Sequence, residues 1–405
     1  MLPKGVTAVG ISVLRHVPDG VLRVVLPRRL RFDARSIPVP APDSDAPIRL
    51  FIGPVNFAGQ SFQWARAAER GVEGVSAVTM AYSAGSEYGF PIDVRVPASA
   101  YLMSAAWQRR EREAVRSRFT HVIYEAGRHL FGNVYRETVA DEIRWLQAAG
   151  VRVAMLTHGS DMRVPSRHAE AHADSPFRST DWPLVPALEA EARRNRALLD
   201  EVGVPIFAST PGMLDDVPEA RWLPVVVDAG RWANDTQPMQ RERPLVVHAP
   251  TNSVIKGTEL IEPIVRDLHD RGLIEYRRIQ GVPSAEMPAL FREADIVLDQ
   301  FRLGDYGVAA CEALAAGRIV VGHVHESVRA AVERETGRAL PIVESDAASL
   351  ARVLGDLVSH RDRARELAAR GPTFVREVHD GRRSAEAMRP FLTGRDGDGG
   401  SSRPR

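Results

Sequence analysis

Residues 294–322 read ADIVLDQFRLGDYGVAACEALAAGRIVVG, and this stretch decides how the chain folds. Positions 295–299 form a short apolar run with β-branched side chains, the pattern of a parallel strand buried on both faces. A loop leads to Gly307, which opens a helical segment of small residues carrying Glu312, and Gly317 ends it before a second apolar run at 319–321. Strand, glycine, helix, strand is the repeating unit of an α/β sheet. A helix that begins behind a strand end turns unpaired N–H groups and its positive dipole end toward whatever lies in front, which suits a diphosphate. Glu312, roughly a turn and a half into that helix, is placed to accept hydrogen bonds from sugar hydroxyls.

The segment GDYGVAACEALAAGRIVV at 304–321 resembles the donor-sugar signature of the retaining family-4 glycosyltransferases. That family sets two Rossmann-like α/β/α domains face to face across a cleft, the GT-B fold, and two glutamates flank seven residues in its signature. The second glutamate is Glu312 here, whereas Gly304 stands at the place of the first, with Asp305 beside it. The resemblance implies ribose recognition by Glu312. The departure at Gly304 removes a side chain that in the family contacts the donor hexose.

A chain of 405 residues has room for two α/β domains, each with its own core. Its net charge of +1 provides no broad field to attract nucleic acid. The single cysteine, Cys311, cannot close an internal disulfide, which points to a reducing, cytoplasmic setting; it reads as a small packed hydrophobe. No run reaches the length of a membrane-spanning helix. The apolar run at 5–14 is short, ends at Arg15 and lacks a small-residue cleavage site, so no signal peptide is expected. Of 53 basic residues only Lys4 and Lys256 are lysines. In a chain that otherwise uses arginine, a compact ammonium kept in an interior loop suits a phosphate.

Residues 1–47 form an N-terminal arm and a Pro-rich connector. Arg23, Arg28, Arg29, Arg31 and Arg35 lie among valines and leucines, and prolines follow at 38, 40, 42 and 47. The plainer reading is an extra strand or a loosely packed arm; the sharper one is a basic patch contacting anionic membrane, where a lipid-linked acceptor would lie. Residues 48–235 are assigned to the first Rossmann-like domain, the acceptor half. A strand at 48–52, the loop GPVNFAGQ and a helix at 61–69 open it. Under the resemblance this loop brings Asn56, Gly59 and Gln60 to the cleft. It lacks the three-glycine dinucleotide fingerprint, which sets a dehydrogenase aside. Strand and helix signals then alternate at 75–80, 105–118, 121–125, 138–149, 151–157, 183–201 and 205–208.

Ligands of open α/β sheets bind beyond the carboxyl ends of the strands, which places His158, Ser160 and Asp161 of THGSDMR at the cleft, together with Glu125. The HGSD turn resembles one found in family-4 relatives. A Ser-His-Asp triad is rejected, because neighbours on one turn lack the geometry and no nucleophile elbow is present. His168 and His172 have the spacing of a metal pair on a helix, but no third ligand is apparent. They are read as a solvated loop or turn, and His323, His325 and Glu326 likewise.

Residues 236–373 are assigned to the donor domain, with the crossing between domains in 228–244. A strand at 245–248, the loop APTNSVIKG and a helix from 258 to about 271 open it. Relatives carry an arginine a few residues before the lysine, where this chain has Pro250 to Ser253; one charge-assisted phosphate contact, worth ~1.5–3 kcal/mol, is thereby missing. Further strands are expected at 274–279 and 340–343, a helix capped by Ser284 before residue 295, and one capped by Asp346 at 347–359. Val282 lies in the loop that meets the nucleotide base in relatives. Residues 374–393 read as a helix crossing back to the first domain, and 394–405 as a disordered tail. Asp-x-Asp pairs occur only in the connector and the tail, so no metal cofactor is expected.

The family resemblance implies a GT-B glycosyltransferase that would move a sugar, with retention, from a nucleotide-diphosphate sugar to a carbohydrate, lipid-linked or small-molecule acceptor. Lys256, Glu312 and His158 are the candidate catalytic residues. Asn252, Lys256, Val282, Asp305, Tyr306, Gly307, Val308 and Glu312 are the donor contacts; Asn56, Gly59, Gln60, Glu125 and His158 are the acceptor contacts. A nucleotide-sugar epimerase and a non-catalytic GT-B binding protein are the competing readings.

Overall fold

The structure, a computed structural model, describes residue 14 and residues 17–83, 88–133, 135–179 and 182–394. Lys4, the early apolar run up to residue 13 and the tail beyond 394 lie outside the described residues. Two parallel sheets organise the rest. The first is ordered β3-β2-β1-β4-β5-β6-β7, with β1 Ile48–Gly53, β2 Val75–Ser83, β3 Val94–Pro97, β4 His121–Glu125, β5 Arg152–Thr157, β6 Ile206–Ala208 and β7 Arg221–Trp222. The second is ordered β12-β11-β10-β8-β9, with β8 Leu245–His248, β9 Glu275–Arg278, β10 Ile296–Leu298, β11 Ile319–Gly322 and β12 Ile342–Glu344.

The apolar runs explain these strands. Leu245, Val246 and Val247 of β8 have no exposed surface, because helices cover both faces of the sheet. Each such side chain contributes roughly 1.5–3 kcal/mol of transfer free energy. In both sheets the strand order reverses direction, between β1 and β4 in the first and between β8 and β10 in the second. A crevice opens outside the carboxyl ends of the strands at each such point.

The described part of the arm, from residue 17, is neither a strand nor loosely packed. Its residues Asp19–Val25 are helical, and Leu22, Leu26, Phe32 and Ile37 are buried in the core of the first sheet. Alternating apolar and basic residues read as strand, but the buried leucines at 22 and 26 are one helical turn apart. Arg31 is turned inward onto the carbonyls of Leu26 and Val24, and Arg23 pairs with Asp33.

The expected crossing helix is two helices, Arg361–Val378 and Arg382–Thr393. They break at Gly381, whose φ of +99° favours glycine. The second packs on the helix Gln60–Gly71 so closely that a Cβ on Gly71 would stand 2.3 Å from the Cβ of Ala385. The segment joining the domains is pinned alongside. The Gln60 amide exchanges two hydrogen bonds with the Val226 backbone, at 2.7 and 3.1 Å, and His379 Nδ1 bonds Val225 O at 2.8 Å.

Candidate active site in the interdomain cleft

A cleft of about 710 Å³ lies where the two crevices face each other. From the first domain come Asn56 to Ala58, after β1, and Arg128, just after β4. From the second come Ala249 to Thr251 after β8, Lys256, and Gln280 to Val282 after β9. Val308, Ala309 and Glu312 complete that wall. Strand-end logic therefore accounts for nearly every wall of the cleft.

Asn252 begins the Lys256 turn. Its Oδ1 accepts hydrogen bonds from the N–H groups of Val254 and Ile255, capping the short helix Ser253–Lys256. Asn252 is thus occupied in shaping the loop and does not line the cleft. Gly257 follows with φ +69°, and a Cβ there would approach Arg302 Cγ to 2.9 Å. The Lys256 ammonium, at the cleft wall, is bonded to the carboxylate of Asp299 at the end of β10. A diphosphate entering here would meet a cation already held in place by a buried carboxylate.

The helix Val308–Ala315 opens at Gly307 toward the same space. A Cβ on Gly307 would meet nothing within 4 Å, so the turn is not plugged by its own surroundings. The first-turn N–H groups have no intrahelical acceptors. Glu312 keeps part of its surface open to the cleft, yet burial among apolar walls pushes its pKa up to about 8, with Arg231 pulling in the opposite direction. An empty cleft thus favours the neutral carboxyl.

Asp305 and Tyr306 turn away from the cleft. The Asp305 carboxylate is buried against Arg163 at 3.3 Å and Thr210 Oγ1 at 2.7 Å, and Tyr306 Oη meets His379 Nε2 at 3.3 Å. Asp305 thereby ties the donor loop to the first domain. Gly304 has φ +67°, and a Cβ there would fall 2.1 Å from the His325 ring. A histidine occupies the space into which a side chain at 304 would have to extend.

On the acceptor side only Asn56 of the expected residues lines the cleft. Gly59 and Gln60 are buried behind it, Gln60 in the Val226 pairing. Glu125 has no exposed surface and offers nothing to a substrate directly; it accepts from Ser61 Oγ at 2.8 Å and meets His158 Nε2 at 3.1 Å. His158 stands one residue behind the wall, edge-on to cleft-lining Phe57 with ring centroids 5.0 Å apart. Asp161 binds the backbone N–H groups of His158 and Gly159, which shapes the turn and leaves no triad.

Sequence reasoning missed Arg128, Tyr88 and Phe90. Arg128 Nη1 donates to Tyr82 Oη at 2.7 Å, and its guanidinium lies 5.7 Å from the Phe57 ring centroid. It brings a cation from the opposite domain to a cleft whose own lysine loop lacks the arginine of relatives. The available signal is the YEAGRHLFG segment at a strand end, which carries Arg128 three residues after Glu125. Tyr88 O accepts from Ser284 N at 2.7 Å, a backbone bond across the cleft; the helix Met287–Glu293 begins after Glu286, so Ser284 is not its cap.

The histidine expectation holds in part. His168 lies on the helix Pro165–Ala171 and His172 directly after it, but they are packed rather than solvated: His172 stacks on His325 at a second contact between the domains, where Asp174 meets His323 and His325. Glu326 instead begins the helix Glu326–Thr336.

Comparison with known proteins agrees with the two-sheet α/β fold. A family model described as glycosyl transferase-like matches residues 241–389, so the second half of the chain carries a glycosyltransferase-like domain. Among solved structures, the chain resembles sucrose-phosphate synthase from Thermosynechococcus elongatus at 12% identity and a TM-score of 0.58, covering 85% of this chain and 98% of that one. It also resembles Anabaena HepE in complex with UDP and glucose, at 10% identity and a TM-score of 0.53, over 85% of this chain and 99% of that one. A glycosyltransferase from Rickettsia africae matches at 10% identity and a TM-score of 0.52, over 86% and 99%. The fold is GT-B. No curated protein sequence matches the chain. No helix among the described residues is long and apolar enough to cross a membrane.

Proposed function

We propose that this protein is a retaining, metal-independent glycosyltransferase of the family-4 type, using a nucleotide-diphosphate sugar. One observation carries the reading: Lys256, Arg128, Glu312 and the amide end of the helix Val308–Ala315 converge on one cleft at both switch points. In the reaction the bond between the anomeric carbon and the diphosphate oxygen breaks, the bond to the acceptor oxygen forms on the same face, and the acceptor's hydroxyl proton passes to the departing diphosphate. Negative charge grows on the departing diphosphate. Lys256, Arg128 and the helix amides stabilise that charge from fixed positions, which is where preorganised electrostatics lower a barrier most. Glu312 holds the ribose as a carboxylate, and Val282 lies against the base. Asn56 serves the acceptor, while His158, oriented by Glu125, supports the wall through Phe57.

The HepE structure holds UDP and glucose, which makes uridine nucleotides the first donors to test. The acceptor proposal includes carbohydrate, lipid-linked and small-molecule alcohols. Exposed Val24 and Val25 beside Arg28 and Arg29 give the arm a surface for anionic membrane, on a cytoplasmic enzyme whose lone Cys311 is buried.

A non-catalytic binding role has one observation in its favour: the His325 ring fills the space beside Gly304, where the family's hexose-contacting glutamate would stand. Incubating the protein with UDP, GDP, ADP and dTDP sugars, with mass analysis of nucleotide and sugar, separates the readings. Acceptor-dependent nucleotide release supports the transferase. Conversion of donor alone to an epimer, or binding without turnover, overturns it.

A further inference from the structure

We propose that Asp174, His323 and His325 form a binding site for one zinc-class divalent ion that fastens the two domains together. Asp174 belongs to the first domain, two residues beyond His172 at the end of the helix Pro165–Ala171. His323 and His325 belong to the second, on the loop leaving β11. Chain segments about 150 residues apart therefore supply one ligand set.

The distances fit an ion. Asp174 Oδ2 lies 3.1 Å from His323 Nε2 and 3.3 Å from His325 Nε2, and the three ligand atoms lie within 4.8 Å of one another. Ligands about 2.0–2.1 Å from a tetrahedral zinc stand roughly 3.3 Å apart. A charge-assisted N–H···O bond is shorter, about 2.7–2.9 Å. The surroundings also match. Glu344 Oε1 holds the other ring nitrogen of His323 at 2.6 Å, and Glu344 is itself fixed by Arg329 at 2.9 Å and by Val324 N at 3.0 Å. A carboxylate on the far nitrogen sets the tautomer and aim of a metal-bound imidazole. The His325 backbone N–H donates to Gly304 O at 2.8 Å.

His172 stacks on His325 with ring centroids 3.8 Å apart, and His168, bonded to Ser175 Oγ at 2.8 Å, stands behind it. Both buttress His325, and the fourth position on the ion goes to water. Imidazole and carboxylate together suit zinc, cobalt or nickel, and not magnesium or calcium, which require oxygen ligands throughout.

None of these side chains lines the 710 Å³ cleft, so the ion is a fastener and no part of the sugar chemistry. A 120 Å³ cavity bordered by His168, His172 and His325 lies beside the site. The ion would hold His325 against Gly304, three residues before Gly307 and the donor helix. It would thereby fix one edge of the cleft whether or not a nucleotide is bound.

The test uses the full chain without a polyhistidine tag, stripped with a chelator and titrated with cobalt(II) and then zinc. We expect one equivalent, visible d–d bands of low-symmetry cobalt that zinc displaces, and a higher thermal transition with metal than without. Asp174→Asn should weaken zinc binding at least ~100-fold, and Glu344→Gln about 10–100-fold by loosening His323. His129→Ala, at a histidine that meets Glu142 in the first domain, should leave the cobalt bands and the zinc affinity unchanged. Absence of the cobalt bands in the wild-type chain, or equal zinc affinity in wild type, Asp174→Asn and His325→Ala, overturns the proposal and leaves an Asp–His ion pair only. Since the wild-type spectrum is the first readout, a variant that fails to fold does not obscure the result.

Discussion

The ammonium of Lys256 and the carboxylate of Asp299 are paired at the wall of the interdomain cleft, and Asp299 is otherwise buried at the end of β10. The pair explains how a lone lysine is held toward the cleft before any ligand arrives. Removing one partner leaves the other charge buried and uncompensated. Lys256→Ala is expected to weaken nucleoside-diphosphate binding about 10–100-fold and to lower the thermal transition. In Lys256→Met/Asp299→Asn the transition should return toward the wild-type value while diphosphate affinity stays low. Calorimetry and thermal melts on the three proteins check both halves.

Arg128 reaches the same space from the opposite domain, held by Tyr82. Arg128→Ala should cost about 1.5–3 kcal/mol of diphosphate affinity. It should leave the affinity for the bare nucleoside nearly unchanged, since only the charged groups are affected. Arg128→Lys should recover little, because an ammonium lacks the planar fork. Titrations with a nucleoside and its diphosphate in each protein measure the difference.

How far the sequence reached can be seen in particular elements. β4 and β8 were legible to the residue, because apolar runs bounded by polar positions mark buried parallel strands. The edge strand Val94–Pro97 was not, being four residues long with alternating burial. Lys256 could be found from the scarcity of lysine and Glu312 from the strand, glycine and helix around it, while Val282 came from the family resemblance. Arg128 and Tyr88 enter the cleft from the first half, where no spacing relates them to Lys256. The same holds for the histidines: the pair 168 and 172 and the pair 323 and 325 are each uninformative, and only folding brings them together.

Burial raises the pKa of Glu312 to about 8 in the empty cleft. Ribose hydroxyls donate to the carboxylate, so the bound state favours the ionised form and lowers its pKa. Below pH 8 binding must release a proton, and affinity falls as pH falls; above pH 8 it is level. Nucleoside-diphosphate affinity should therefore rise about tenfold from pH 7 to pH 9. Glu312→Gln should flatten that profile and bind more weakly at pH 9. Titrations across the range, in buffers of differing ionisation heat, report both the slope and the released proton.

Gly304 adopts φ +67° against the His325 ring. Gly304→Ala combines a left-handed backbone strained for any side chain with overpacking, and should lower stability by about 2–5 kcal/mol. In chelator-stripped protein, adding His325→Ala should recover the packing part and leave the backbone part. Denaturant unfolding of the single and double variants resolves the two contributions.

The central claim is that the second domain and Arg128 grip a nucleoside diphosphate in the cleft. Isothermal titration of UDP, GDP, ADP and dTDP into the wild-type chain and into Lys256→Met/Asp299→Asn tests it most directly. The account predicts one-to-one binding of at least one of the four to the wild type, at least ~10-fold weaker in the double variant. No binding of any of them, or equal binding to both proteins, would contradict it.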